Sequence, residues 1–179
     1  MSHILHPHPN FQDKLRVKLS SPLAGAILTS PWCKFPADDA SVKRNEGSDY
    51  VCKTGAERWS SAFIGTQIAP RYRESSSADT KTPGSAPPDN YNQPYLASTD
   101  WFSGLDKVVK GVFVWGGAQE VLVDSIDDVA RKLKASFPET VYVRTPEAAH
   151  VGWLSHKLIG IKGKEESTDA IESFMADRL

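Results

Sequence analysis

Apolar residues in this chain fall in short blocks separated by polar stretches rich in proline and glycine. The run from Ala24 to Thr29 (AGAILT) is flanked by Pro22 and by Ser30-Pro31. That length and those flanks predict a buried strand rather than a helix. Residues 112–115 (VFVW) predict a second strand, with Gly116 and Gly117 as its exit into a loop. Residues 141–143 (VYV) predict a third. Between the last two, Ile126, Val129, Ala130, Leu133 and Phe137 recur at helical spacing. Ser125, with Asp128 three residues on, resembles a capping box at the start of that helix, and Pro138 ends it. Tyr50, Val51, Ala56, Trp59 and Phe63 predict a helix over residues 50–64. Thr168 is placed to cap a last helix with Ile171, Phe174 and Met175 on one face.

The remaining stretches lack a hydrophobic period. Residues 1–22 read as irregular, with Pro7 and Pro9 stopping any helix. Residues 36–49 are polar and read as loop. Residues 71–98, rich in Ser, Pro, Asp and Gly, read as a flexible loop or a cap segment. Strands alternating with helices predict an α/β fold, a mainly parallel sheet with flanking helices, in a single domain over residues 1–179.

Composition narrows the function classes. Lys plus Arg is 21 and Asp plus Glu is 22, a net charge of -1. That balance argues against a nucleic-acid platform or a polybasic membrane surface. Two cysteines, Cys33 and Cys52, exclude a disulfide-stapled secreted scaffold and read as free thiols. No apolar run approaches the roughly 20 residues of a membrane helix. The opening MSHILHPHPN has no basic-then-apolar signal layout, so a cytoplasmic location is expected. His3, His6 and His8 lack a nearby Cys or carboxylate to complete a metal site, and no metal or organic cofactor is implied.

Two residues stand where chemistry is expected in such a sheet. Glu120 comes five residues after Trp115, and His150 seven after Val143. Ligands of open α/β sheets bind outside the carboxyl ends of the strands. A carboxylate that accepts an imidazole N–H fixes the tautomer of that ring and stabilises its charged form. Trp101 and Phe102 either line a substrate pocket or fill the core.

Three segments carry a family resemblance. Residues 25–32 (GAILTSPW) resemble the sixth strand of the hormone-sensitive-lipase-like branch of the α/β-hydrolases. WFSGL at 101–105, followed by VFVWGGAQEVLVDSI, resembles that branch's seventh strand and acid loop, and TPEAAHVG at 145–152 its histidine loop. The likeness is nearest to fungal esterase-like members, some of which serve secondary metabolism. It spans about residues 15–160 and covers the carboxyl-terminal half of the family fold. The family acid takes the first acidic place of a D-x-L-x-D-like stretch, here Glu120-Val-Leu-Val-Asp124. The resemblance therefore implies Glu120 as triad acid, with Glu in place of the commoner Asp, and His150 as base. Asp124 is the rival acid, with a plain alternative role at a helix N-terminus.

The resemblance implies a carboxylic-ester hydrolase acting on a small-molecule ester. Yet the sequence contains no G-x-S-x-G elbow and no H-G-G-G-type loop. Gly116-Gly117 belongs to the acid loop. The opening MSHILHPHPN resembles the end of the helix that follows the family nucleophile, so the chain is expected to start just downstream of the catalytic serine. Two expectations follow. Either this is an esterase whose serine lies in residues not present here, or it is an inactive relic or interaction partner. In both cases the strand near Ala24 and Thr29 lacks its usual neighbour, which invites self-association or a partner.

Overall fold

The computed structural model describes residues 1–11, 17–64, 88–160 and 166–178. Three parallel strands form the sheet: β1 (Ala26–Thr29), β2 (Val112–Gly117) and β3 (Thr140–Thr145), with β2 in the middle. Ala26 pairs with Val112 and Thr29 with Trp115, while Val112 pairs with Thr140 and Gly117 with Thr145. All six residues of β2 are buried. A strand covered on both faces needs apolar residues at every position, which VFVW supplies.

The period of two sorts β2 onto two cores. Val112 and Val114 join a cluster with Ile126, Val129, Ala130 and Leu133 of α4 (Val123–Ser136). Phe113 and Trp115 point the other way, to Ile171 and Phe174 of α6 (Glu166–Ala176). Helices therefore cover both faces, the α/β architecture that the alternation of strands and helices predicts. Each large apolar side chain so buried contributes about 1.5–3 kcal/mol. Among the described residues no helix is long and apolar enough to cross a membrane.

Several boundaries differ from the sequence reading, each for a local reason. The first residues are not wholly irregular: α1 (Ser2–Leu5) forms ahead of Pro7, and Met1 and Leu5 pack on the core. The polar segment 36–49 contains a helix, α2 (Ala40–Asn45). The next helix, α3, runs Lys53–Ile64 and buries Ala56 and Ser60, leaving Trp59 and Phe63 exposed. Helix α4 starts two residues before Ser125, and the expected capping box does not form. The Ser125 hydroxyl instead donates to Leu122 O at 2.9 Å. A further helix, α5 (Gly152–Leu158), follows the third strand. Met175 sits at the rim of α6, 37% exposed, rather than on its buried face. Of the segment 71–98, residues 71–87 lie outside the described residues, and Pro94–Leu96 forms a single 3-10 turn.

Candidate active site

Glu120 sits three residues beyond the end of β2 and is fully buried, with 0% of its surface exposed. A buried carboxylate is tolerable only when its oxygens are hydrogen-bonded. Oε1 accepts from the Ser30 hydroxyl at 2.8 Å and from the Gly117 N–H at 2.5 Å. Oε2 lies 3.0 Å from His150 Nδ1. The histidine follows β3, and its side chain is 24% exposed. The acid loop and the histidine loop thus bring their two candidates into direct contact, with the carboxylate on the inner side and the imidazole facing outward.

Backbone strain surrounds this contact. Ser30 has φ 45° and Val151 has φ 48°, and neither is glycine. A β-branched residue in this region is an outlier that its surroundings must hold in place. One hydroxyl holds both positions. The Ser30 Oγ that donates to Glu120 also accepts the Val151 N–H at 3.0 Å. Ser30 is therefore a bridge between acid and histidine loops that the sequence reading did not single out. The Ser-Pro pair that bounds the first strand was the only signal for it.

The loops also meet through backbone. Ala118 N donates to Thr145 O, and Gln119 N donates to Ala148 O, both at 2.9 Å. Gly117 allows this approach, since a Cβ there would stand 2.6 Å from the Ala148 carbonyl carbon and 2.9 Å from Ala149 O. The Gly116-Gly117 pair that the sequence suggested as a strand exit is the last part of β2 itself.

The segment around α2 was missed because its polar side chains are spent on the acid loop. The Ser41 hydroxyl donates to Val121 O at 2.7 Å. Asn45 Nδ2 donates to Ala118 O at 3.0 Å and to Glu120 O at 2.7 Å. Ser41 and Asn45 are buried. Their loss of water is compensated bond by bond, so no apolar period was needed to bury them.

The other predicted residues have partners of their own. Asp124 lies in the first turn of α4, and its Oδ2 accepts the Ser41 N–H at 2.8 Å. Its Oδ1 takes the Arg44 guanidinium at 2.8 Å. Both bonds run to α2, while the carboxylate itself stands in the first turn of α4. Burial pulls the Asp124 carboxyl up, but the Arg44 guanidinium and the Ser41 N–H and hydroxyl outweigh burial and hold it below its ordinary 3.8. A carboxyl lowered on folding adds stability that is full above its ordinary value and fades as the pH falls through the lowered one. The denaturation midpoint of the wild type is therefore expected to exceed that of Asp124→Asn near neutral pH. Below about pH 4 the gap narrows; a gap unchanged down to pH 2 would contradict the assignment.

Phe102 is buried in the main core, while Trp101 packs half-buried on the His6 ring, centroids 4.2 Å apart. Cys33 is buried and Cys52 exposed, both free. Burial, with Asp128 and Glu120 nearby, pushes the Cys33 thiol up to about 12, so it is inert as a nucleophile. Among the described residues no group of three or more His, Cys, Asp or Glu could hold a metal ion.

The chain is a parallel sheet with helices on both faces, an acid beyond one strand and a histidine beyond the next, and its likeness to solved structures makes it a partial α/β-hydrolase fold. Solved structures of that fold resemble the chain along most of its length. A hormone-sensitive lipase from a metagenome library is 17% identical, with TM-score 0.64 over 88% of this chain and 46% of that one. A carboxyl esterase from the mycorrhizal fungus Tuber melanosporum is 14% identical, with TM-score 0.58 over 86% of this chain and 44% of that one. A thermostable esterase from Pseudomonas putida is 21% identical, with TM-score 0.55 over 79% and 38%. At these identities the likeness establishes the fold, and the chain spans less than half the length of each of the three. No protein-family model matches the chain, and no curated protein is significantly similar to it.

Proposed function

We propose that the chain carries the base and the acid of a Ser-His-acid carboxylic-ester hydrolase. In this reading a serine attacks the ester carbonyl. His150 takes its proton and passes it to the leaving alkoxide, while Glu120 fixes the tautomer of the ring and stabilises its charged form. The observation that carries the reading is the 3.0 Å contact between His150 Nδ1 and the fully buried Glu120. The likeness in fold to esterases supports it, and the substrate class is a small-molecule ester, such as an acetylated metabolite of fungal secondary metabolism.

In this reading the serine comes from residues other than these 179, which contain no G-x-S-x-G. Ser30 does not fill the place, because its hydroxyl donates to the carboxylate rather than serving as the partner of the imidazole. The isolated chain is accordingly expected to hydrolyse p-nitrophenyl acetate no faster than its His150→Ala variant. A reproducible difference between the two would place a nucleophile within the chain and overturn this part of the reading.

One observation favours a second reading, an interaction role without catalysis. Among the described residues β1 pairs only with β2, and Leu23 and Ile27 stand exposed beside Phe174 and Met175. An open apolar edge is a template for another strand. Under this reading a second copy of the chain covers the edge. Light scattering would then find dimers in the wild type and monomers in Ile27→Lys, and a monomeric wild type counts against it.

A further inference from the structure

One carboxylate beside the pair touches neither member's reacting atoms, yet holds both. Asp49 follows α2 and is half-buried. Its Oδ2 accepts the Val121 N–H at 2.7 Å, and its Oδ1 accepts the backbone N–H of His150 at 2.9 Å. Val121 is the residue after Glu120. A single side chain therefore clamps the backbone of the acid loop to the backbone of the histidine.

We propose that Asp49 is a positioning residue that sets the separation and angle between Glu120 and His150. The proposal rests on the reading of those two as a working pair and adds a residue to it. The chemistry suits the task. A carboxylate offers two acceptors and no donor, and both of its targets are N–H groups. An asparagine in the same place would turn an NH2 toward one of them. The clamp is itself fixed, since Asp49 N donates to Asn45 O at 3.2 Å while Asn45 Nδ2 holds Glu120 O. A clamp is also needed. Val151, next to the histidine, keeps a left-handed conformation that its branched side chain resists; the Ser30 hydroxyl holds its N–H, and Leu154 N and Ser155 N hold its carbonyl.

The test is nitrogen and proton NMR of the whole chain, reading the His150 ring rather than turnover. In the wild type the neutral ring is expected as the Nδ1–H tautomer, with a low-field Nδ1 proton. Asp49→Asn is expected to lower the ratio of Nδ1–H to Nε2–H about tenfold, the weight of one lost charge-assisted hydrogen bond, while the amide shifts of β2 and β3 stay in place. Asp49→Glu keeps both acceptors and is expected to retain the Nδ1 proton at a shifted frequency. If Asp49→Asn does not fold, the glutamate variant carries the test. A ring spectrum that neither variant alters would overturn the proposal and leave the pairing intact. A wild type without the Nδ1–H tautomer, indistinguishable from Glu120→Gln, would instead remove the pairing and this proposal with it.

Discussion

Replacing Gly117 with alanine is expected to lower the melting temperature by roughly 6–12 °C, from a loss of about 3 kcal/mol. The added Cβ would meet only backbone: the Ala148 carbonyl, its carbon 2.6 Å away, and Ala149 O at 2.9 Å. No side chain can swing aside to relieve it. The histidine loop must retreat, and with it goes the Gln119 N–H bond to Ala148 O. Gly117 N also donates to Glu120 Oε1, so the same shift loosens the acid. Gly47→Ala is the control. A Cβ at Gly47 meets nothing within 4 Å, and that variant should melt within a degree or two of the wild type. Equal melting of the two alanine variants in a thermal scan would contradict the packing described between the loops.

Truncating Glu120 to alanine should cost a similar amount, about 3 kcal/mol, for a different reason. The loss is polar rather than steric. Ser30 Oγ and Gly117 N–H lose their acceptor, and His150 Nδ1 loses its partner. Glu120→Gln keeps the volume and one acceptor oxygen, and is expected to lose only about 1–2 kcal/mol. Urea unfolding of the three chains gives the comparison. An alanine variant as stable as the glutamine one would mean that the hydrogen bonds to the carboxylate do not support the loops.

The sheet was legible because its strands are short apolar runs of β-branched and aromatic residues, and because Val129, Ala130 and Leu133 repeat on a helix between two of them. Glu120 and His150 were legible as positions after strands, with the resemblance supplying their roles. The bridges between them were not. Ser41, Asn45 and Asp49 sit in a segment with no apolar period, and their burial is compensated by hydrogen bonds to the backbone of the acid loop. Such bonds leave no periodic trace in a sequence. The short α2 and the late residue Asp49 therefore read as loop. The capping box failed for a related reason: the helix began earlier, and Ser125, inside it, found the carbonyl of Leu122 just ahead of the first turn. Phe102 and Trp101 carry the same aromatic signal whether they face a ligand or a core, and only packing separates the two.

The most direct measurement is on the native product. An antibody to residues 167–179 would capture it from source cells, and a fluorophosphonate probe would report a serine activated by a histidine. The account predicts a captured band heavier than 19.7 kDa that takes the label, and loses it when His150 is replaced by alanine. A captured band at 19.7 kDa, or a heavier one that never takes the label, would contradict the assignment of Glu120 and His150 to a working triad.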